Sequence, residues 1–247
     1  MAQQEEDARA PSRRSTAMIA DKIAQVNARI ASACAAARRP VQSVTLLAVS
    51  KTFGAADVAA AHAAGQHRIG ENYVQEALAK IAALHALAPP PEWHLIGPLQ
   101  SNKTRVVAET FDWVHSVDRL AIAERLSAQR PDALAPLSLC LQVNVSGEAS
   151  KSGVRPRDLA PLAHAVAALP RLRLRGLMAI PAPAVGSEAQ RRPHRLLREC
   201  LEALRADGLE LDTLSAGMSD DLEAAILEGA TMVRVGTAIF GSRTAPA

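Results

Sequence analysis

A lysine closes the first strand-like run of this chain, Val44-Thr45-Leu46-Leu47-Ala48-Val49-Ser50-Lys51. Alternation with a period of two puts Lys51 on the face of Leu47 and Val49. An amine among aliphatic neighbours loses hydration of its charged form, which favours the neutral nucleophile, and such an amine can form an imine with an aldehyde. Taken alone, the same lysine could equally begin a surface loop. A second unusual residue is Arg234, inside Met232-Val233-Arg234-Val235-Gly236, where alternation groups it with Met232 and Gly236. An inward guanidinium needs a carboxylate, a phosphate or a ring acceptor, so a structural ion pair is as open as a ligand contact. The third feature is Ser219-Asp220-Asp221-Leu222-Glu223, which reads as a helix N-terminus just after Gly217, while Gly236-Thr237 ends the following strand. Backbone N–H groups and a helix dipole at such places bind phosphate, although Asp220 and Asp221 oppose an anion unless their side chains turn away. Glu71, Asn72, His94, Asn144, Ser146 and Met178 also fall at strand ends. His94 shares a face with Ile96 and is expected to point inward, and Met178 either packs or lines the mouth.

The elements that would carry these residues alternate. Strand-like runs fall near 44–50, 68–70, 93–97, 113–117, 137–145, 172–180, 213–217 and 232–236. Helical patterns fall between them, such as 73–87, 119–129, 156–168, 188–206 and 220–228. An additional helix over about 17–38 has Ile19, Ile23, Val26 and Ile30 at helical spacing and stops before Pro40. Strands joined by crossover helices pair in parallel, and about eight repeats fit a closed (β/α)8 barrel better than an open doubly wound sheet. The glycine-rich turn of a dinucleotide fold does not follow the first strand. In a barrel the site forms where strands end, with phosphate commonly held after the seventh and eighth. The expected organisation is a flexible polar tail over 1–16 and a single barrel domain over 17–247.

Composition narrows the class. Hydrophobic residues are 49% but aromatics only 2%, so the core must be packed with Ala, Leu, Val and Ile. The net charge of +3 comes with scattered Arg and no basic patch beside aromatics, which argues against nucleic acid as a partner. The run Arg191-Arg192-Pro193-His194-Arg195 reads as a solvated loop and helix face. Cys34, Cys140 and Cys200 form no closely spaced pair, which argues against a disulfide framework or zinc site and for a reducing compartment. With no signal-peptide pattern and no apolar run of membrane-spanning length, a cytoplasmic protein without membrane attachment is expected.

The same residues lie in long ordered blocks: LLAVSK (46–51), GENYVQE (70–76), WHLIGPLQSNK (93–103), SKSG (150–153), RGLMAIPAP (175–183), TLSAGMSDDLEAAI (213–226) and MVRVGTAIFG (232–241). Through these blocks the chain resembles the pyridoxal phosphate homeostasis protein family from about Leu46 to Gly241. The stretch between Ala184 and Pro193 follows no block of the family and is expected to be a surface loop. The resemblance implies a barrel like the N-terminal domain of alanine racemase, of the fold type III class, with pyridoxal 5′-phosphate (PLP) as cofactor. It implies that Lys51 is the Schiff-base lysine and that Arg234 faces the pyridine nitrogen. Ser215, Ser219, Gly236 and Thr237 match the phosphate environment, and Asn72, His94, Met178 and Met218 match further positions of the cofactor pocket.

The function so implied is storage, buffering or delivery of PLP, with apo forms of PLP-dependent enzymes as partners and little or no catalysis. The competing reading is a PLP-dependent amino-acid racemase. An arginine ring partner leaves the ring nitrogen largely unprotonated and carbanions less stabilised. Racemases of this barrel class add a tyrosine from a partner subunit, placed with the help of a further β domain. Here the only tyrosine, Tyr73, opens a helix, and the sequence ends shortly after the eighth strand, so a non-racemase and a monomer are expected. A Schiff-base aldolase without cofactor is a third reading. Lys151, in Ser150-Lys151-Ser152-Gly153, is either a solvated loop lysine or a second amine that receives the aldehyde during release.

Overall fold

A computed structural model describes residues 13–148 and 151–241. Eight strands close into a barrel in sequence order: β1 (Thr45–Val49), β2 (Arg68–Glu71), β3 (Glu92–Leu95), β4 (Trp113–Val117), β5 (Leu137–Gln142), β6 (Leu172–Met178), β7 (Thr213–Ser215) and β8 (Met232–Val235). All neighbours are parallel, and β8 returns to β1 with Leu47 opposite Arg234. Helices α2 (Ala55–Ala63), α3 (Val74–Ala83), α4 (Thr104–Thr110), α5 (Leu120–Gln129), α6 (Leu159–Ala167), α7 (Ser187–Ala206) and α8 (Leu222–Leu227) connect the strands. They are preceded by α1 (Arg13–Ala36) and followed by the short α9 (Thr237–Phe240). Both faces of every strand are covered, which is why the strands read as nearly continuous apolar runs. On β1, Leu46 and Ala48 pack into the main core with the helices, whereas Leu47 and Val49 form a small interior cluster with Ile96 and Met232. No described helix is long and apolar enough to cross a membrane.

Two sequence boundaries move. Helix α1 begins at Arg13, so residues 13–16 belong to it and not to a tail, and the rest of that expected tail lies outside the described residues. The arginine-rich run lies wholly in helix, as the pattern over 188–206 predicts, and no part of it is loop: α7 begins at Ser187 and carries Pro193 within it. Arg191, Arg195 and Arg198 converge on the buried Glu228 at 2.7, 3.2 and 3.4 Å, while His194 is buried against Asp221 at 3.0 Å. A carboxylate removed from water gathers cations, and that demand anchors a proline-containing, highly charged segment as helix.

Three local devices shape the barrel. Gly97 and Gly176 are sites of backbone approach, since an added Cβ would lie 2.1 Å from the Asn72 carbonyl oxygen and 1.7 Å from that of Thr213, respectively. The β5–β6 register shifts between Leu139 and Cys140, so Arg175 is an extra residue on β6 and the faces change parity there. Leu174 therefore packs in the main core, while Met178 turns inward with Trp113 and Cys140. The end of β1 is tied by a buried trio: Lys80 Nζ donates to the Ser50 carbonyl oxygen at 2.7 Å and to Glu71 Oε1 at 2.6 Å, and the Ser50 hydroxyl donates to the same Glu71 oxygen. Burial raises the Glu71 carboxyl above the ordinary carboxylate range, against the opposing pull of Lys80 and Ser50.

Gly176→Ala is expected to destabilise the protein by about 1–3 kcal/mol, because neither backbone at the β6–β7 seam can move aside. The check is a lower urea midpoint with an unchanged slope. Lys80→Met strands Glu71 in the interior and is expected to cost about 3–5 kcal/mol, whereas adding Glu71→Leu should recover most of that loss. A double variant as unstable as the single one would contradict this assignment of the pair.

Candidate functional site

The C-terminal ends of the strands open into a cavity of about 440 Å³. Its wall includes Val49 at the end of β1 and Lys51 beyond it, Asn72 after β2, Ile96 after β3, and Arg234 with Gly236 and Thr237 at β8. Met218, Ser219 and Asp220, on the turn after β7, complete one side. Seven of the ten residues expected at the site thus line one space: Lys51, Asn72, Met218, Ser219, Arg234, Gly236 and Thr237.

Lys51 stands half-buried one residue beyond Ser50, the residue held by Glu71 and Lys80. Immediately after it, Thr52 adopts φ 68°, a left-handed conformation that is uncommon for a β-branched residue. The Glu76 carboxylate accepts the Thr52 N–H at 3.0 Å and stabilises this turn. Local backbone strain of this kind is a recurring feature of functional sites.

Arg234 is buried, and its guanidinium is satisfied by neutral acceptors. Nη1 donates to the Ser215 carbonyl oxygen at 2.6 Å and to Ser215 Oγ at 2.8 Å, and Nη2 donates to the Ala179 carbonyl oxygen at 2.8 Å. Burial pulls the group down to about 10, so it remains cationic at neutral pH. A guanidinium has five N–H donors, so Nε and the second hydrogen of Nη2 are left for the cavity side. The structural ion pair left open by the sequence is not what satisfies it.

The phosphate-like corner is assembled from backbone. Helix α9 starts at Thr237, and the first N–H groups of a helix have no partner within it. Gly236 permits this approach, since a Cβ there would meet the Val49 carbonyl oxygen at 3.1 Å. Across the corner, Arg29 of α1 holds the Ser219 carbonyl oxygen at 2.9 Å and pairs with Glu223 at 2.7 Å. The acidic pair is largely resolved: Asp221 turns back to the Met218 N–H at 2.6 Å and to His194, while Asp220 stays exposed on the rim. On the opposite wall the Asn72 Oδ1 atom is buried without a hydrogen-bond partner. An amine and a cation on the wall of one space, with a buried orphan acceptor on a third wall residue, fit a ligand that brings an aldehyde, a ring acceptor and a donor.

Three expected residues do not reach the cavity. His94 points inward as expected, but Ile96 occupies the rim and His94 lies two residues lower on the strand, roughly 6–7 Å deeper. There it bonds Glu92 at 2.7 Å and His115 at 2.9 Å and stacks on Trp113. Met178 turns inward but is fully buried against Trp113 and Cys140, so it packs and does not line the cavity. Ser215 acts one layer below, as the acceptor of Arg234. His115 belongs to none of the motifs that mark the site in the sequence, although alternation with Trp113 places it inward. Ile96, Thr52, Phe53 and Ile180 also line the cavity, and Phe53 packs on Phe240 with ring centroids 5.2 Å apart. Asn144 holds the loop after β5 through the Glu148 and Lys151 carbonyl oxygens, while Lys151 itself is exposed and does not line the cavity. Tyr73 is 52% exposed beside the mouth, outside the cavity wall. Cys140 is no candidate nucleophile, since burial pushes its thiol up to about 12.

Comparison with known proteins agrees with this architecture. The family model for the alanine racemase N-terminal domain matches residues 24–244. The pyridoxal phosphate homeostasis protein of Pseudomonas aeruginosa is 64% identical over 225 residues, covering 91% of this chain and 96% of that one. The protein of the same name from Escherichia coli K12 is 54% identical over 226 residues, covering 91% and 97%. PipY of Synechococcus elongatus, solved with PLP bound, is 40% identical with a TM-score of 0.80, over 90% of this chain and 100% of that one. Alanine racemase of Corynebacterium glutamicum is similar in fold alone, at 18% identity and a TM-score of 0.69, with the match spanning 62% of that longer chain. The chain belongs to the pyridoxal phosphate homeostasis protein family, built on the barrel of the alanine racemase N-terminal domain.

Proposed function

We propose that this protein binds PLP as an imine on Lys51, holds it as a cytoplasmic monomer through one domain, and passes it to apo forms of PLP-dependent enzymes, with little or no catalysis of its own. The observation that carries this reading is that Lys51, Arg234 and Asn72, whose side-chain oxygen has no partner, line one cavity together with the start of α9. The family names of the relatives and the PLP held by PipY support the same cofactor. When bound, PLP supplies an electrophilic aldehyde and an aromatic ring able to withdraw electrons.

The chain's own groups then divide the work. Lys51 supplies the amine. The amides at Gly236 and Thr237, with Ser219 opposite, receive the phosphate, and Asn72 Oδ1 accepts a hydrogen bond from the ligand. Arg234 donates toward the ring nitrogen and brings no carboxylate to protonate it, which limits carbanion stabilisation and favours holding over turnover. A racemase would need a second base across from Lys51. Among the described residues, the charged groups on the cavity wall apart from Lys51 are Asp220, exposed at the rim, and Arg234.

Adding PLP to the purified protein should produce a visible imine band that Lys51→Ala abolishes. The loaded protein should restore activity to an apo PLP-dependent enzyme while leaving L-alanine unracemised over hours. Sustained racemisation at ordinary enzyme rates, about 1 per second or faster, would overturn the carrier reading in favour of the racemase.

A further inference from the structure

The Arg234–Ser215 contact continues as a chain of hydrogen bonds down the inside of the barrel. Ser215 Oγ lies 2.9 Å from His115 Nδ1, His115 Nε2 lies 2.9 Å from His94 Nδ1, and His94 Nε2 lies 2.7 Å from Glu92 Oε1. His94, His115 and Ser215 are all completely buried. Glu92 is 39% exposed by side chain at the opposite mouth, on the wall of a second cavity of about 510 Å³, with Arg68 at 3.5 Å from it. Nothing in the PLP reading uses His115 or Glu92, which lie outside the cofactor cavity.

The two ends fix the direction of every proton between them. A guanidinium only donates, so Ser215 Oγ accepts from Arg234. The Glu92 carboxyl is held low, first by its bond to His94, so it is ionised and only accepts. His94 therefore carries its hydrogen on Nε2. Burial lowers both imidazoles below the ordinary histidine range, so each carries one proton. His94 Nδ1 is then bare and accepts from His115 Nε2–H, and His115 Nδ1 is bare and accepts from the Ser215 hydroxyl. With Glu92 removed, the chain could reverse, and Ser215 Oγ would then receive two donors, one from His115 and one from Arg234.

We infer that His115, and through it His94 and Glu92, are positioning residues that orient the Ser215 hydroxyl and so hold the free N–H groups of Arg234 toward the ring nitrogen of bound PLP. A carboxylate at the far mouth of the barrel thus controls how the cofactor ring is held. The inference rests on the PLP reading and adds residues that lie outside the cofactor cavity.

The test combines ¹⁵N NMR of the imidazoles in the apoprotein with PLP titration and the ¹⁵N resonance of labelled PLP in wild type, Glu92→Ala, Glu92→Gln and His115→Phe. In the wild-type apoprotein both histidines should be Nε2-protonated single tautomers. Glu92→Ala and His115→Phe should each weaken PLP about 3–10-fold, the order expected for losing one oriented hydrogen bond. Both should also shift the ring-nitrogen resonance, and Glu92→Gln, which keeps an acceptor oxygen for His94, should restore most of the wild-type values. Because Glu92 is partly exposed, its variants serve even if His115→Phe does not fold. A proton on His115 Nδ1 in the wild type would overturn the inference. So would wild-type affinity and ring resonance in Glu92→Ala, while a wild type that forms no imine band would sink the PLP reading itself.

Discussion

Arg234 is 3% exposed inside the barrel, and no carboxylate lies within ion-pairing distance of it among the described residues. A cation taken out of water in this way must be paired, saturated with acceptors or offered to a ligand. Much of the upper barrel follows from that demand. The backbone N–H of Arg234 donates to the Gly217 carbonyl oxygen at 2.9 Å, and Gly217 has φ 89°, where an added Cβ would lie 2.6 Å from that of Ala225. Only glycine turns the chain so tightly there. That turn delivers Met218, Ser219 and Asp220 to the cavity wall, where Arg29 and His194 secure it from outside the barrel.

The amine is held by a different kind of device. Ser50, Glu71 and Lys80 form a compact buried ion pair with a hydroxyl, so the backbone before Lys51 is rigid while the turn after it carries the strain of Thr52. A fixed base with a free side chain suits the proposed role of Lys51 in binding an aldehyde and releasing it. One wall therefore fixes the backbone that carries Lys51, and the other fixes the Arg234 cation. Small apolar clusters, Leu47, Val49, Ile96 and Met232 on one hand and Trp113, Cys140 and Met178 on the other, fill much of the remaining interior.

Local patterning makes the framework legible. The strand over 113–117 coincides with β4, and the other runs differ from the observed strands by a few residues at their ends. Lys51 and Arg234 stand out because each is a charged residue on a strand face that alternation marks as inward. What stays hidden depends on pairs distant in sequence. Lys80 lies 30 residues from Ser50, and His115 lies 100 from Ser215, so only closure of the barrel brings them together. A bulge after Leu174 breaks the period of β6, so Leu174 and Met178 fall on opposite faces, and Met178 packs in the interior. The Ala184–Pro193 stretch has the polarity of a loop, and the helix that it enters is held by Glu228, 37 residues from Arg191 in sequence.

The central claim is that one particular amine, Lys51 Nζ, carries the cofactor in the cavity that Arg234 completes. Borohydride reduction of the PLP-loaded protein, followed by proteolysis and mass mapping, reads this directly. The account predicts a single pyridoxyl-phosphate adduct on the peptide that contains Lys51. An adduct on Lys80, Lys103, Lys151 or another lysine, with Lys51 unmodified, would contradict it.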